Sequence, residues 1–213
     1  MTICHHPSQA MLVQHAAGGL DSGPALVLST HLVACAECRE TLAVAESVGG
    51  ALLSDLQPVQ MAEDALALVL ARAERPMEPA PALHFVPRRP DWVETPIEVL
   101  DAARRRRWAA PGVWTAHIGP KTDKGKTYLL RVAAGMSVPT HTHRGTELVC
   151  ILKGEFSDAA GVYRPGDFIE SDDDIEHKPT NSAAGECVCL VYTDNALVPR
   201  DWVGRVFQPF VGI

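Results

Sequence analysis

Between Pro76 and Pro90 the chain places five prolines, at 76, 79, 81, 87 and 90. Each ring fixes φ and removes a backbone donor, so neither a helix nor a central strand can run through such a stretch. We read 76–90 as an extended, proline-rich linker. At about 100–200 residues per domain, a chain of 213 residues has room for one large domain or two small ones. The texture changes across the linker, and that favours two, at 1–75 and 91–213.

Before the linker the apolar residues recur at spacings of three and four, the period of a helix. Met11, Leu12, His15 and Ala16 form the first such face, and Gly18-Gly19 offers a stop. Pro24 suits the first turn of a second helix running through Leu26, Leu28 and Leu32. A third helix is expected over Ala36–Leu53, weakened near Gly49-Gly50, and a fourth over Ala62–Arg75 with a stripe of Ala65, Leu66, Val69 and Leu70. After Pro90 the signals turn to strands at Tyr128–Ala133, Glu147–Lys153, Asp167–Ser171 and Cys187–Thr193. The expected architecture is an all-α N-terminal domain followed by an all-β sandwich or barrel.

Composition excludes several classes. Hydrophobic residues at 46% and charged residues at 21% describe a packed protein rather than a disordered one. A net charge of −7 argues against direct nucleic-acid binding. Residues 1–75 hold eight acids and three bases, a balance suited to a basic protein partner. The Arg104–Arg107 run sits among Glu94, Glu98 and Asp101 and reads as a solvated face. No apolar run approaches the roughly 18 residues of a membrane span. The start, Met1 to His6, lacks the pattern of a signal peptide, and six cysteines are too few for a disulfide scaffold, so a cytoplasmic location is expected.

Two clusters carry chemistry. In the first, His31, Cys35 and Cys38 stand at i, i+4 and i+7, one face on helical geometry. A fourth donor is available from His5 or His6, between which spacing does not choose. Two thiolates with two neutral imidazoles neutralise a dication in a closed tetrahedral shell, the pattern of structural zinc. A C-x-x-C redox pair is the competing reading, but no βαβ context surrounds it. The second cluster is His141-x-His143-(x3)-Glu147, with His177 further on. On a strand His141 and His143 share a face, and Glu147 returns to it beyond Arg144-Gly145. Three imidazoles and one carboxylate accept Zn, Fe, Mn, Ni or Cu and leave an open position for water or an anionic small molecule.

Other features recede. Pro120 to Thr127 nearly spells a P-loop, but a proline replaces the first glycine and a strand follows. Cys150 reads as core, and His84 and His117 as structural or surface residues. Cys187 and Cys189 share one strand face, as small core residues or as thiols open to an oxidant.

An upstream His followed by His31-x3-Cys35-x2-Cys38 in a short helical domain resembles the zinc-binding anti-sigma family. That resemblance implies zinc held by His6, His31, Cys35 and Cys38. The second cluster, framed by Gly135 and Gly154 and followed by Gly166, His177 and Asn181, resembles the paired motifs of the cupin superfamily, with Asp172 and Asp174 replacing the usual Pro and Gly. Joined in this order, the halves resemble the ChrR-type zinc-binding anti-sigma factors. The resemblance implies an N-terminal domain that sequesters an extracytoplasmic-function sigma factor. It also implies a cupin-like barrel, with a second zinc at His141, His143, Glu147 and His177, that triggers release under oxidative, singlet-oxygen-like stress. On this reading the chain is not an enzyme. The alternative is a metal-dependent cupin dioxygenase or isomerase with a helical regulatory appendage.

Overall fold

Ser8 opens the first helix by a local bond: its Oγ accepts from the Met11 N–H at 3.3 Å, satisfying a donor the helix leaves unpaired. The computed structural model describes residues 3–74, 107–118, 125–138, 140–142, 145–172, 178–195 and 198–199. Helix α1 spans Gln9–Ala16, α2 Ser22–Ala34, α3 Ala36–Ser54 and α4 Ala65–Ala73. The helical expectation therefore holds, and α3 runs through Gly49-Gly50 without a break. The linker at 76–90 and the arginines at 104–106 lie outside the described residues.

The second half is antiparallel β structure. Strands β1 (Arg107–Ala110), β2 (Val113–His117), β3 (Lys126–Val132), β5 (Glu147–Lys153), β8 (Phe168–Ser171) and β10 (Cys187–Thr193) form a six-stranded sheet in the order β1-β2-β3-β10-β5-β8. A second sheet joins β7 (Val162–Tyr163), β6 (Phe156–Ser157) and β9 (Thr180–Asn181), and a short pair joins β4 (His141–Thr142) to β11 (Val198–Pro199).

Alternation along β5 and β10 divides two cores. Val149, Ile151, Cys187, Cys189 and Val191 face the barrel interior with Phe156 and Tyr163 of the smaller sheet. Leu148, Cys150, Leu152, Val188 and Leu190 face outward, and α2 lies across them. Val27 and Leu28 of α2 are fully buried there. Gly23 permits that approach, because a side chain at its position would collide with the Tyr192 ring and Thr127. Thus α2 is covered by the sheet, and the helical half and the barrel share one apolar core. The two-domain reading did not anticipate this contact.

Asn181 anchors the base of the barrel. Its side-chain amide donates to the carbonyls of Val132, Ala133 and Gly185, each at 2.9 Å.

Candidate metal centre

The chain breaks its helix at Cys35, whose φ of −95° and ψ of 107° make it both the end of α2 and the cap of α3. The reading of one continuous helical face through His31, Cys35 and Cys38 is thereby corrected: the three donors converge across a junction. Two contacts hold the junction. Arg39 Nη1 donates to the Leu32 and Val33 carbonyls at 2.7 and 2.9 Å, capping α2. The Cys38 N–H donates to Cys35 Sγ at 3.4 Å, which places that sulfur at the positive end of α3.

His6 arrives from an extended segment laid along the barrel. Its Nδ1 lies 3.3 Å from Cys38 Sγ and 3.4 Å from Cys35 Sγ. His31 Nδ1 donates to the Gly166 carbonyl at 2.7 Å. That bond leaves Nε2 as the lone-pair nitrogen, and Nε2 is buried with no hydrogen-bond partner among the described residues. One ligand atom from each of His6, His31, Cys35 and Cys38 can be chosen so that all lie within 4.8 Å of one another. A tetrahedral zinc with ordinary Zn–S and Zn–N bonds needs donors about 3.3–3.8 Å apart. The closest pairs already meet that spacing, and the buried, orphaned Nε2 has no other evident use.

Electrostatics agree with a cation. Burial, then the neighbouring Cys35 and Glu37, push the Cys38 thiol up to about 12, so holding two thiolates here needs a nearby positive charge. Burial lowers His31 despite its bond to Gly166, which keeps the imidazole neutral and able to ligate. The structure separates the two adjacent histidines as well. His5 turns away, stacking on Tyr163 at a centroid distance of 4.5 Å and approaching Asp167 at 3.3 Å.

Of the second cluster, His141 and Glu147 are described, and both are buried. Glu147 shares the barrel-facing side of β5 with Val149 and Ile151, and burial pushes its carboxyl up to about 8. His143, Asp174 and His177 lie outside the described residues. The framing glycines behave as turn residues, with positive φ at Gly135, Gly154 and Gly166.

Sequence reasoning missed the barrel's contribution to the first centre. The Gly166 carbonyl is 135 positions from His31, and the carboxylate of Asp167 holds the segment that carries His6. No local spacing announces either contact.

Comparison with known proteins gives one consistent result. The ChrR cupin-like domain family matches residues 100–196. The anti-sigma-E factor ChrR of Cereibacter sphaeroides is 37% identical over 218 residues, spanning 100% of both chains. A crystal structure of Rhodobacter sphaeroides SigE in complex with the anti-sigma ChrR matches with a TM-score of 0.76 at 36% identity, covering 91% of this chain and 100% of that one. With 37% identity across the whole of both chains, this chain belongs to the ChrR family of anti-sigma factors.

Proposed function

We propose that this protein sequesters an extracytoplasmic-function sigma factor through its helical half, residues 1–75, and releases it when the barrel, residues 91–213, registers oxidative, singlet-oxygen-like stress. The observation that carries the reading is an uncovered apolar surface. Leu52, Leu53 and Leu56 at the end of α3 and Leu66, Val69 and Leu70 of α4 are all more than half exposed. Large apolar side chains left open on two successive helices are what a protein-binding face would use. The acidic balance of residues 1–75 suits a basic, DNA-binding partner. The ChrR of the SigE complex supplies the partner class.

In this reading zinc is held by His6, His31, Cys35 and Cys38 and supplies folding energy to the α2–α3 junction. A second metal, zinc by family resemblance, is held by His141, His143, Glu147 and His177. The protein acts as a regulator in the cytoplasm rather than as an enzyme, with 76–90 as the connector. Among the described residues, no helix is long and apolar enough to cross a membrane.

The test is a sigma-dependent reporter with the full chain, fragment 1–90 and the His141→Ala/His143→Ala variant, each with and without singlet oxygen. The fragment should repress but no longer respond, and the double variant should respond weakly. Loss of repression in the fragment would show that the barrel helps to bind sigma. Normal induction in the fragment would remove the sensory role.

A further inference from the structure

The groups that orient both histidines of the first centre belong to the barrel, in the turn from Arg164 to Asp167. Gly166 supplies the carbonyl that accepts from His31 Nδ1 at 2.7 Å. The turn is tightly packed there. Gly166 has a φ of +94°, and a side chain at its position would collide with Ile3. Asp167 follows, 2% exposed, and its carboxylate accepts three backbone hydrogen bonds. Its Oδ1 accepts from the N–H groups of Cys4 at 2.8 Å and His5 at 3.1 Å, and its Oδ2 accepts from the Arg164 N–H at 2.8 Å. The Phe168 N–H then donates to the His5 carbonyl at 3.0 Å, continuing the contact into β8. One carboxylate therefore closes the barrel turn with one oxygen and fixes the residues next to His6 with the other.

We propose that Asp167 is a positioning residue for the zinc centre. With the Gly166 carbonyl, its carboxylate makes the zinc affinity of the helical half depend on the shape of the barrel turn 164–167. The inference rests on the zinc reading above and adds a cause to it. An imidazole whose second nitrogen is already bonded binds a metal with its tautomer and ring orientation set in advance. A ligand such as His6, carried on an extended segment, needs its backbone held for the same reason. The turn runs directly into β8, where Ser171 pairs with Glu147 of β5. A change of shape inside the barrel thus has a continuous backbone route to both histidines.

The experiment uses the full chain throughout. Zinc affinity is measured by competition with a colorimetric chelator, and geometry by cobalt(II) substitution. Asp167→Ala should lower zinc affinity by about 10–100-fold. Its cobalt d–d bands should shift and weaken, while the thiolate-to-cobalt charge-transfer band persists because Cys35 and Cys38 are unchanged. Asp167→Asn keeps an oxygen to accept from Cys4 and His5 and should recover part of the affinity. Glu186→Gln, which weakens the Arg131 and Lys153 ion pairs elsewhere on the barrel, should leave zinc affinity and the cobalt spectrum unaltered. The proposal is overturned if both Asp167 variants, folded by circular dichroism, match the wild type in affinity and spectrum. It is equally overturned if Glu186→Gln lowers affinity as much as Asp167→Ala does, since general loosening of the barrel then suffices. Should Asp167→Ala fail to fold, Asp167→Asn decides by the same comparison. A wild-type chain that takes up no zinc removes the zinc reading itself, a separate result.

Discussion

The sulfur atoms of Cys187 and Cys189 lie 3.7 Å apart on the inward face of β10, both buried inside the barrel. The Cys187 contact, and then burial, raise Cys189 well above the ordinary thiol value, and burial with the charge of Asp167 pushes Cys150 up to about 12. Thiols in that state react slowly, because the thiolate is the nucleophile.

Alkylation should therefore divide the six cysteines. Iodoacetamide at about pH 8 is expected to modify exposed Cys4 first. Cys187 and Cys189 should follow at least about 100-fold more slowly, at the rate of barrel opening, and Cys150, covered by α2, at the rate at which that helix lifts from the sheet. Peptide mass spectrometry over time reads this directly. Fast labelling of Cys187 or Cys189 in the folded chain would show that the barrel opens far more readily than its packing implies.

On α4, Leu66 and Leu70 are 69% and 53% exposed. Truncating both to Ala should leave the melting temperature of the free protein unchanged. It should weaken sigma binding by roughly 100-fold or more, since two leucines buried in a complex are worth about 1.5–3 kcal/mol each. Titration calorimetry with the purified sigma factor and a thermal melt of the free variant separate the two effects. Unchanged affinity would move the docking face elsewhere.

Leu28 tests whether the halves are energetically joined. It is fully buried between α2 and the sheet, so Leu28→Ala should cost about 2–5 kcal/mol. Helical and near-ultraviolet circular dichroism should lose signal in one transition at lower denaturant. Two transitions, with only the helical one displaced, would mean that the shared core does not couple the halves. Fragment 1–90 lacks the sheet that covers Val27 and Leu28, and it should be less stable than the same helices in the full chain.

Glu186 accepts from Lys153 Nζ at 3.1 Å and pairs with Arg131. Burial alone would raise its carboxyl, but the Lys153 and Arg131 contacts outweigh that and hold it below the ordinary glutamate range. The unfolded chain therefore binds this proton first as the pH falls. The stability from Glu186 is complete at neutral pH and is lost below roughly pH 4.3, through the lowered folded value. Denaturant titrations should show a shallower acid slope for Glu186→Gln than for the wild type.

Much of this was legible because the decisive segments are locally consistent. The strands over Glu147–Lys153 and Cys187–Thr193 match their expected bounds, since each is an apolar run buried on both faces. The first two strands were missed: Arg107 and Trp108 are exposed, and Pro111-Gly112 breaks the run after four residues. Ala65, Leu66, Val69 and Leu70 formed the expected stripe, but a stripe says only that a face is apolar, and here Leu66, Val69 and Leu70 stay open. The His31, Cys35 and Cys38 set was readable from spacing, and so was a new helix from Ala36; what spacing did not give is that the three donors meet across that boundary instead of lying on one helical face. The choice of His6 over His5 by geometry needed Tyr163 and Asp167, which hold His5 elsewhere.

The bond from His31 to Gly166 spans 135 positions, and that interval is also a length of time at the ribosome. His6, His31, Cys35 and Cys38 emerge early in synthesis, while the carbonyl that settles His31 is made much later. An ion captured by the nascent chain would meet ligands that are present but unoriented, and it would be held less tightly. On this reading the tighter hold comes when the turn at 164–167 has formed, so keeping the ion reports that the barrel has been built at least that far. A product truncated before that turn carries all four ligands and still lacks the part that holds them in place.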